Sequence, residues 1–182
     1  PEFEIAAVGD PSEAGLVAFD FAAKWGTPHS YCDLDRALDV DHYHIASVCT
    51  PTHTHIDILE QLLETDIPKV FCEKPLGGDP IKARAIGDKY QKAGKALAVN
   101  FTRRWDRSMV ELRNEIASGA WGELRNIVGW YSRGVMNNGT HMLDLIGMLV
   151  GRSIMNYGVA GTFHDLSNYT DDPTVDAVLA LD

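Results

Sequence analysis

Val70-Phe71-Cys72-Glu73-Lys74-Pro75 decides how the rest of the chain is read. Val70, Phe71 and Cys72 form an unbroken apolar run, the pattern of a strand covered on both faces as in parallel sheets. Pro75 has no N–H for a ladder and biases Lys74 to an extended conformation, so the strand ends at the Glu73-Lys74 pair. In open parallel sheets, ligands collect just beyond the carboxyl ends of the strands. Lys74 then reads as an amine delivered to that edge. A solvated Glu-Lys turn is the plainer alternative, and the neighbouring segments bear on the choice.

Those segments alternate in type. Phe3 to Gly9 reads as a short strand ending at Asp10, followed by a helix from Ser12 to about Trp25 that Gly26 and Pro28 close. Tyr43 to Cys49 is the next strand, with Thr50-Pro51-Thr52 as its exit and Thr52 as cap for a helix carrying Ile56, Leu59, Leu62 and Leu63. The strand before Lys74 comes third. A helix from about Pro80 to Ala93, stopped by Gly94, and a strand from Ala96 to Phe101 follow. Strands alternating with helices of this length predict βαβ units and a parallel sheet, hence an α/β fold. Beyond Arg104 the one-for-one alternation stops. A helix over Asp106 to Ser118, a long strand over Glu123 to Ser132, an apolar helix over Asn138 to Val150 and strands near Ile154–Val159 and Val175–Leu181 predict a second, α+β region from about residue 102.

Composition bounds the function classes. The 182 residues carry a net charge of −10, which argues against nucleic-acid or anionic-membrane partners, since both require a basic footprint. No apolar run reaches the length of a membrane span, and no charged-then-apolar leader opens the sequence. Cys32, Cys49 and Cys72 are odd in number and widely spaced, so neither a disulfide framework nor a Cys-x-x-Cys metal site is expected, and a reducing, cytoplasmic setting is the default. His42, His44, His53 and His55 resemble paired metal ligands, but a strand separates the two pairs by roughly 20 Å at 3.3 Å per residue, so no shared metal ion is expected.

A dinucleotide-binding domain ordinarily opens with a strand and a Gly-x-Gly-x-x-Gly turn that holds pyrophosphate at a helix N-terminus. Gly9, Gly15, Gly77 and Gly78 do not form one. Asp10 nevertheless stands where such folds place the ribose-binding carboxylate at the end of their second strand. The expectation is that these 182 residues begin at that second strand, with the phosphate turn outside them, and that by themselves they bind NAD poorly. Downstream, Asn137, His141, Asp144 and Met148 recur at i, i+4, i+7 and i+11, one face of a helix. Asn138 or Thr140 is a natural cap, which puts His141 in the first turn, where the helix dipole disfavours imidazolium and leaves a base. A structural His141–Asp144 hydrogen bond is the alternative. His53 and His55 could line a pocket or cap a helix. Arg103 and Arg104 could meet a phosphate or carboxylate, or flank a core Trp105.

Five segments occur in order: Thr50-Pro51-Thr52-His53-Thr54-His55, Glu73-Lys74-Pro75, Asn100-Phe101-Thr102-Arg103-Arg104-Trp105, Gly119-Ala120-Trp121-Gly122-Glu123 and Asn138-Gly139-Thr140-His141-Met142-Leu143-Asp144. Their order resembles the Gfo/Idh/MocA oxidoreductases, from Phe3 to about Gly151. The resemblance implies a partial NAD(P)-binding Rossmann domain over 1–101. It also implies a partial substrate and oligomerisation domain over 102–182 with an open, mainly antiparallel sheet. It implies hydride transfer between nicotinamide and a hydroxyl-bearing carbon of a sugar, cyclitol or polyol, in a homodimer or homotetramer. Lys74 and His141 become the catalytic pair, and Lys74, Asn137, Asn138, His141 and Asp144 the substrate side. Asp10, Thr50, Pro51, His53, His55, Glu73, Lys74 and Arg104 become the cofactor side. Many relatives carry aspartate where Asn137 stands, and the Lys74–Pro75 peptide is often cis in them. Asp10 without a following arginine points to NAD, with NADP as the second possibility. An NAD-recycling glycoside hydrolase and a non-catalytic sugar or dinucleotide sensor are the alternatives on the same fold.

Overall fold

The computed structural model describes residues 3–12, 15–40, 42–151, 154–163 and 172–181. Two parallel sheets occupy the first hundred residues. In the first, β1 (Ala7–Gly9) pairs with β2 (His29–Tyr31), and α1 (Leu16–Trp25) connects them. Gly26, at φ 71°, ends α1 in the left-handed conformation that glycine adopts without a Cβ penalty. The second sheet runs β3–β4–β5, formed by Ala46–Val48, Lys69–Glu73 and Ala96–Asn100. Its crossovers are α3 (His55–Leu63) and α4 (Pro80–Lys92). Asp79 caps α4 through its side chain, and Pro80 opens the first turn, where a missing N–H costs nothing.

The core lies between these helices and the second sheet. Val48, Leu59, Leu62, Ile67, Val70, Cys72, Ile86 and Tyr90 are buried against one another. The Tyr90 hydroxyl donates to the Leu59 carbonyl at 2.8 Å, so its one polar atom is satisfied in an apolar setting. Burial pushes the Cys72 thiol up to about 12, which makes it a packing group and not a nucleophile.

Several expectations change. Sequence pattern does not announce β2 or α2 (Leu34–Val40): His29-Ser30-Tyr31 is short and polar, and α2 is only seven residues long. A weaker mark of α2 is Asp33, which accepts from the Arg36 amide at 2.8 Å in the manner of an N-cap. Thr52 does not cap α3 with its side chain; it opens a 3₁₀ turn, Thr52–Thr54, that leads into the helix. Glu123 to Ser132 belongs to no ladder among the described residues, and Val128 and Trp130 are 75% and 87% exposed. A strand-like pattern yields a strand only where a neighbour supplies hydrogen bonds.

The remaining elements follow the expected order. Asp106 caps α5 (Arg107–Ala117). A π-helical segment, Gly134–Gly139, runs directly into α6 (Thr140–Val150). The antiparallel pair β6 (Ile154–Phe163) and β7 (Thr174–Leu181) completes the chain, with register shifts between Ile154 and Asn156 and between Val159 and Gly161. Neither Asn138 nor Thr140 acts as an N-cap. The Thr140 hydroxyl instead donates to the Met136 and Asn137 carbonyls, because the helix is already under way when it reaches that residue. No helix among the described residues is long and apolar enough to cross a membrane.

Leu59 is fully buried at the centre of the core. Leu59→Ala is expected to lower unfolding free energy by about 2–5 kcal/mol, read as a fall in the urea midpoint at unchanged slope. An unaltered midpoint would show that this cluster does not set the domain's stability.

Candidate active site at the carboxyl edge of the sheet

Lys74 leaves the end of β4 across a cis peptide bond to Pro75. Its ammonium donates to the Asn137 carbonyl at 3.1 Å and to Asn137 Oδ1 at 3.0 Å. The strand terminus and the π-turn are therefore joined across 63 residues of sequence. His141 stands one turn beyond Asn137, its ring edge-on to Phe101 with centroids 6.0 Å apart. The imidazole pKa lies below the ordinary histidine value, first through burial, then through the nearby cations of Lys74 and Arg103; Asp144 and Glu73 oppose the shift. The direction is the one the sequence suggested. The cause differs, because His141 lies inside a continuous helical run and not in an open first turn.

The two opposing carboxylates are both engaged. Arg104 Nε donates to both oxygens of Asp144, at 2.8 and 2.9 Å, and Arg104 Nη2 lies 2.8 Å from Oδ1. Arg104 and Asp144, assigned to cofactor and substrate respectively, thus bind each other. The pair stitches the 3₁₀ turn after β5 to α6, and a bidentate guanidinium fixes orientation as well as charge. Glu73 accepts from Asn100 Nδ2 at 2.6 Å, and Asn100 Oδ1 accepts from Trp105 Nε1 at 3.2 Å.

His55, expected to line a pocket or cap a helix, is 1% exposed at the start of α3, and both ring nitrogens face carbonyls, Nδ1 that of Pro75 at 2.9 Å and Nε2 that of Thr50 at 2.8 Å. It ties the exit of β3 to the exit of β4. His53 is exposed on the 3₁₀ turn, beside the exposed Pro51 and the half-buried Thr50. Thr50 Oγ1 accepts from Thr54 Oγ1 at 2.8 Å. Asp10 follows β1, and hydrogen bonds from the Ser12 hydroxyl and amide hold its carboxyl below the usual carboxylate range. Asn138 lines a shallow pocket of about 270 Å³ with Arg103, Trp130, Tyr131 and Met142. A second hollow, of about 340 Å³, lies between Phe101, Trp105 and the Arg104–Asp144 pair. Among the described residues no His, Cys, Asp or Glu cluster could hold a metal ion.

Four contributors escaped the sequence reading: Asn100, Phe101, Arg103 as a charge acting on His141, and Asp172. A polar residue closing an otherwise apolar strand marks Asn100. Nothing local marks Asp172, whose carboxylate accepts from the Met136 and Asn137 amides.

Parallel strands flanked by helices, with a carboxylate and an amine at the end of β4 and an imidazole on α6, define an α/β fold with polar groups gathered at its carboxyl edge. Residues 1–101 match the Gfo/Idh/MocA model, described as an oxidoreductase family with an NAD-binding Rossmann fold. The chain belongs to that family. It is 28% identical over 172 residues to D-glucoside 3-dehydrogenase of Escherichia coli K12, covering 82% of this chain and 47% of that protein. Against inositol 2-dehydrogenase of Rhizobium meliloti 1021 the identity is 32% over 94 residues, covering 52% and 27%. The crystal structure of GenD2 from gentamicin A biosynthesis, in complex with NAD, shares the fold at a TM-score of 0.79 and 21% identity, over 99% of this chain and 54% of that one. The chain thus spans about half, or less, of the length of the relatives it matches.

Arg103→Gln removes a cation that disfavours imidazolium, so the His141 pKa is expected to rise toward the ordinary value. An NMR titration of the His141 ring proton reads the shift. A fall, or no movement, would mean that Arg103 does not reach the imidazole.

Proposed function

We propose that this chain supplies the cofactor domain and the acid–base pair of an NAD(P)-dependent dehydrogenase acting on a hydroxyl-bearing carbon of a sugar, cyclitol or related polyol. The observation that carries this reading is the meeting of Lys74 with the turn of His141 at the carboxyl edge of the sheet. The family and the names of its relatives support the substrate class.

The residues present fit the cofactor. Asp10 keeps an ionised carboxylate at the end of β1, a suitable acceptor for ribose hydroxyls, and no arginine follows it, which favours NAD over NADP. Thr50 and Pro51 follow β3, and Glu73 ends β4, at the carboxyl edge of the second sheet. Nicotinamide, when bound, supplies the hydride acceptor or donor.

The chain's own residues do the rest. An ammonium has three N–H groups; Asn137 takes two from Lys74, leaving one for a substrate oxygen. That hydrogen bond stabilises negative charge as the hydroxyl ionises. His141, kept neutral by burial and by the adjacent cations, accepts the hydroxyl proton, a contribution of about 10²–10⁴ in rate for a positioned base. Run in reverse, the imidazolium returns the proton to a carbonyl oxygen.

In the whole protein, Lys74→Met is expected to reduce turnover by about 10²-fold or more while changing the NAD dissociation constant far less. Net NADH formation from a polyol panel is the assay. Wild-type turnover in the variant would remove Lys74 from the chemistry.

A further inference from the structure

Four consecutive amides at the start of the π-turn are taken by the three residues that lead into β7. The Gly134 N–H donates to Thr174 Oγ1 at 3.1 Å and the Val135 N–H to the Pro173 carbonyl at 3.0 Å. The Met136 and Asn137 N–H groups donate to the two oxygens of Asp172 at 2.8 and 2.9 Å. The first amides of a helical run have no acceptor within it, and a carboxylate is the strongest acceptor the chain can offer them. Gly134 sits at φ +83° under that carboxylate, and a Cβ there would overlap both the side chain and the backbone of Asp172. The arrangement therefore needs glycine at 134 and an acceptor with two oxygens at 172.

Asn137 is the shared member of two contacts. Its N–H is held by Asp172, while its carbonyl and side-chain oxygen receive the Lys74 ammonium. A carboxylate and an ammonium are thus connected through one residue, with each hydrogen bond polarising that residue in the sense that strengthens the next. We infer that Asp172 is a positioning residue: by fixing the Asn137 turn it sets where the Lys74 amine stands relative to His141. Its effect on turnover rests on the dehydrogenase reading above; its effect on Lys74 does not.

Asp172→Asn in the whole protein keeps the shape and replaces one acceptor with an NH₂ group that repels the amide it faced. Turnover is expected to fall about 10-fold or more, as for a small misplacement of a reacting group, with KM for NAD little changed. Labelling of the Lys74 amine by an acylating reagent, followed by mass spectrometry, is expected to become several-fold faster as its two acceptors loosen. In the Lys74→Met background the same substitution should leave residual turnover essentially unchanged, because Asp172 acts through that amine. Unaltered labelling together with unaltered turnover, or fully additive losses in the double variant, would overturn the inference. If the whole protein performs no net redox with any polyol, faster labelling still upholds the positioning role while the dehydrogenase reading falls. Should the variant not fold, hydrogen exchange on the wild-type protein decides: the Met136 and Asn137 amides are expected to exchange slowly, and rapid exchange at both would overturn it.

Discussion

The two hydrogen bonds from Lys74 to Asn137 are the constraint on which the site depends. An ammonium at the end of a half-buried strand gives up part of its hydration, and hydrogen-bond acceptors in the protein replace it. Asn137 supplies them as neutral oxygens. A carboxylate at this position would cancel the charge; an amide leaves it acting on its surroundings. His141 registers it: its pKa is depressed by burial and then by this cation. One residue choice at 137 thus fixes the amine and tunes the imidazole.

The other charges of the cluster reinforce that balance. Asp144 would favour imidazolium, but Arg104 grips it with both carboxylate oxygens occupied. Glu73 is held by Asn100, itself bonded to Trp105. Both carboxylates are committed to joining β4, β5, the 3₁₀ turn and α6, so they orient the site more than they neutralise it. Side chains anchored in this way lose little further freedom when a ligand binds, which is what a preorganised polar site requires.

The frame beneath is ordinary α/β physics with two polar ties. The apolar core fixes α3 and α4 against β3–β5. His55 lies between the carbonyls of Pro75 and Thr50, 2.9 and 2.8 Å from its two ring nitrogens, where the loops leaving β4 and β3 meet. Lys95 donates to the Leu62, Leu63 and Thr65 carbonyls at the C-terminus of α3, where a cation suits the helix dipole.

By itself the sequence determined whatever depends on local pattern. Apolar runs closed by Pro75 and Gly94 gave β4, α4 and β5 almost to the residue, and the ordered segments from Thr50 to Asp144 pointed to the family. The i, i+3 spacing put His141 and Asp144 a turn apart on one helix, because helical period is a local property, while Asn137 stands in the π-helical segment before it. Only tertiary structure decided what those side chains touch. Arg104 met Asp144, His55 turned inward, Asp172 reached the π-turn from 35 residues away, and Glu123 to Ser132 found no ladder among the described residues. Each outcome turns on a partner distant in sequence, and hydrogen bonds between distant residues leave no periodicity along the chain from which they can be read.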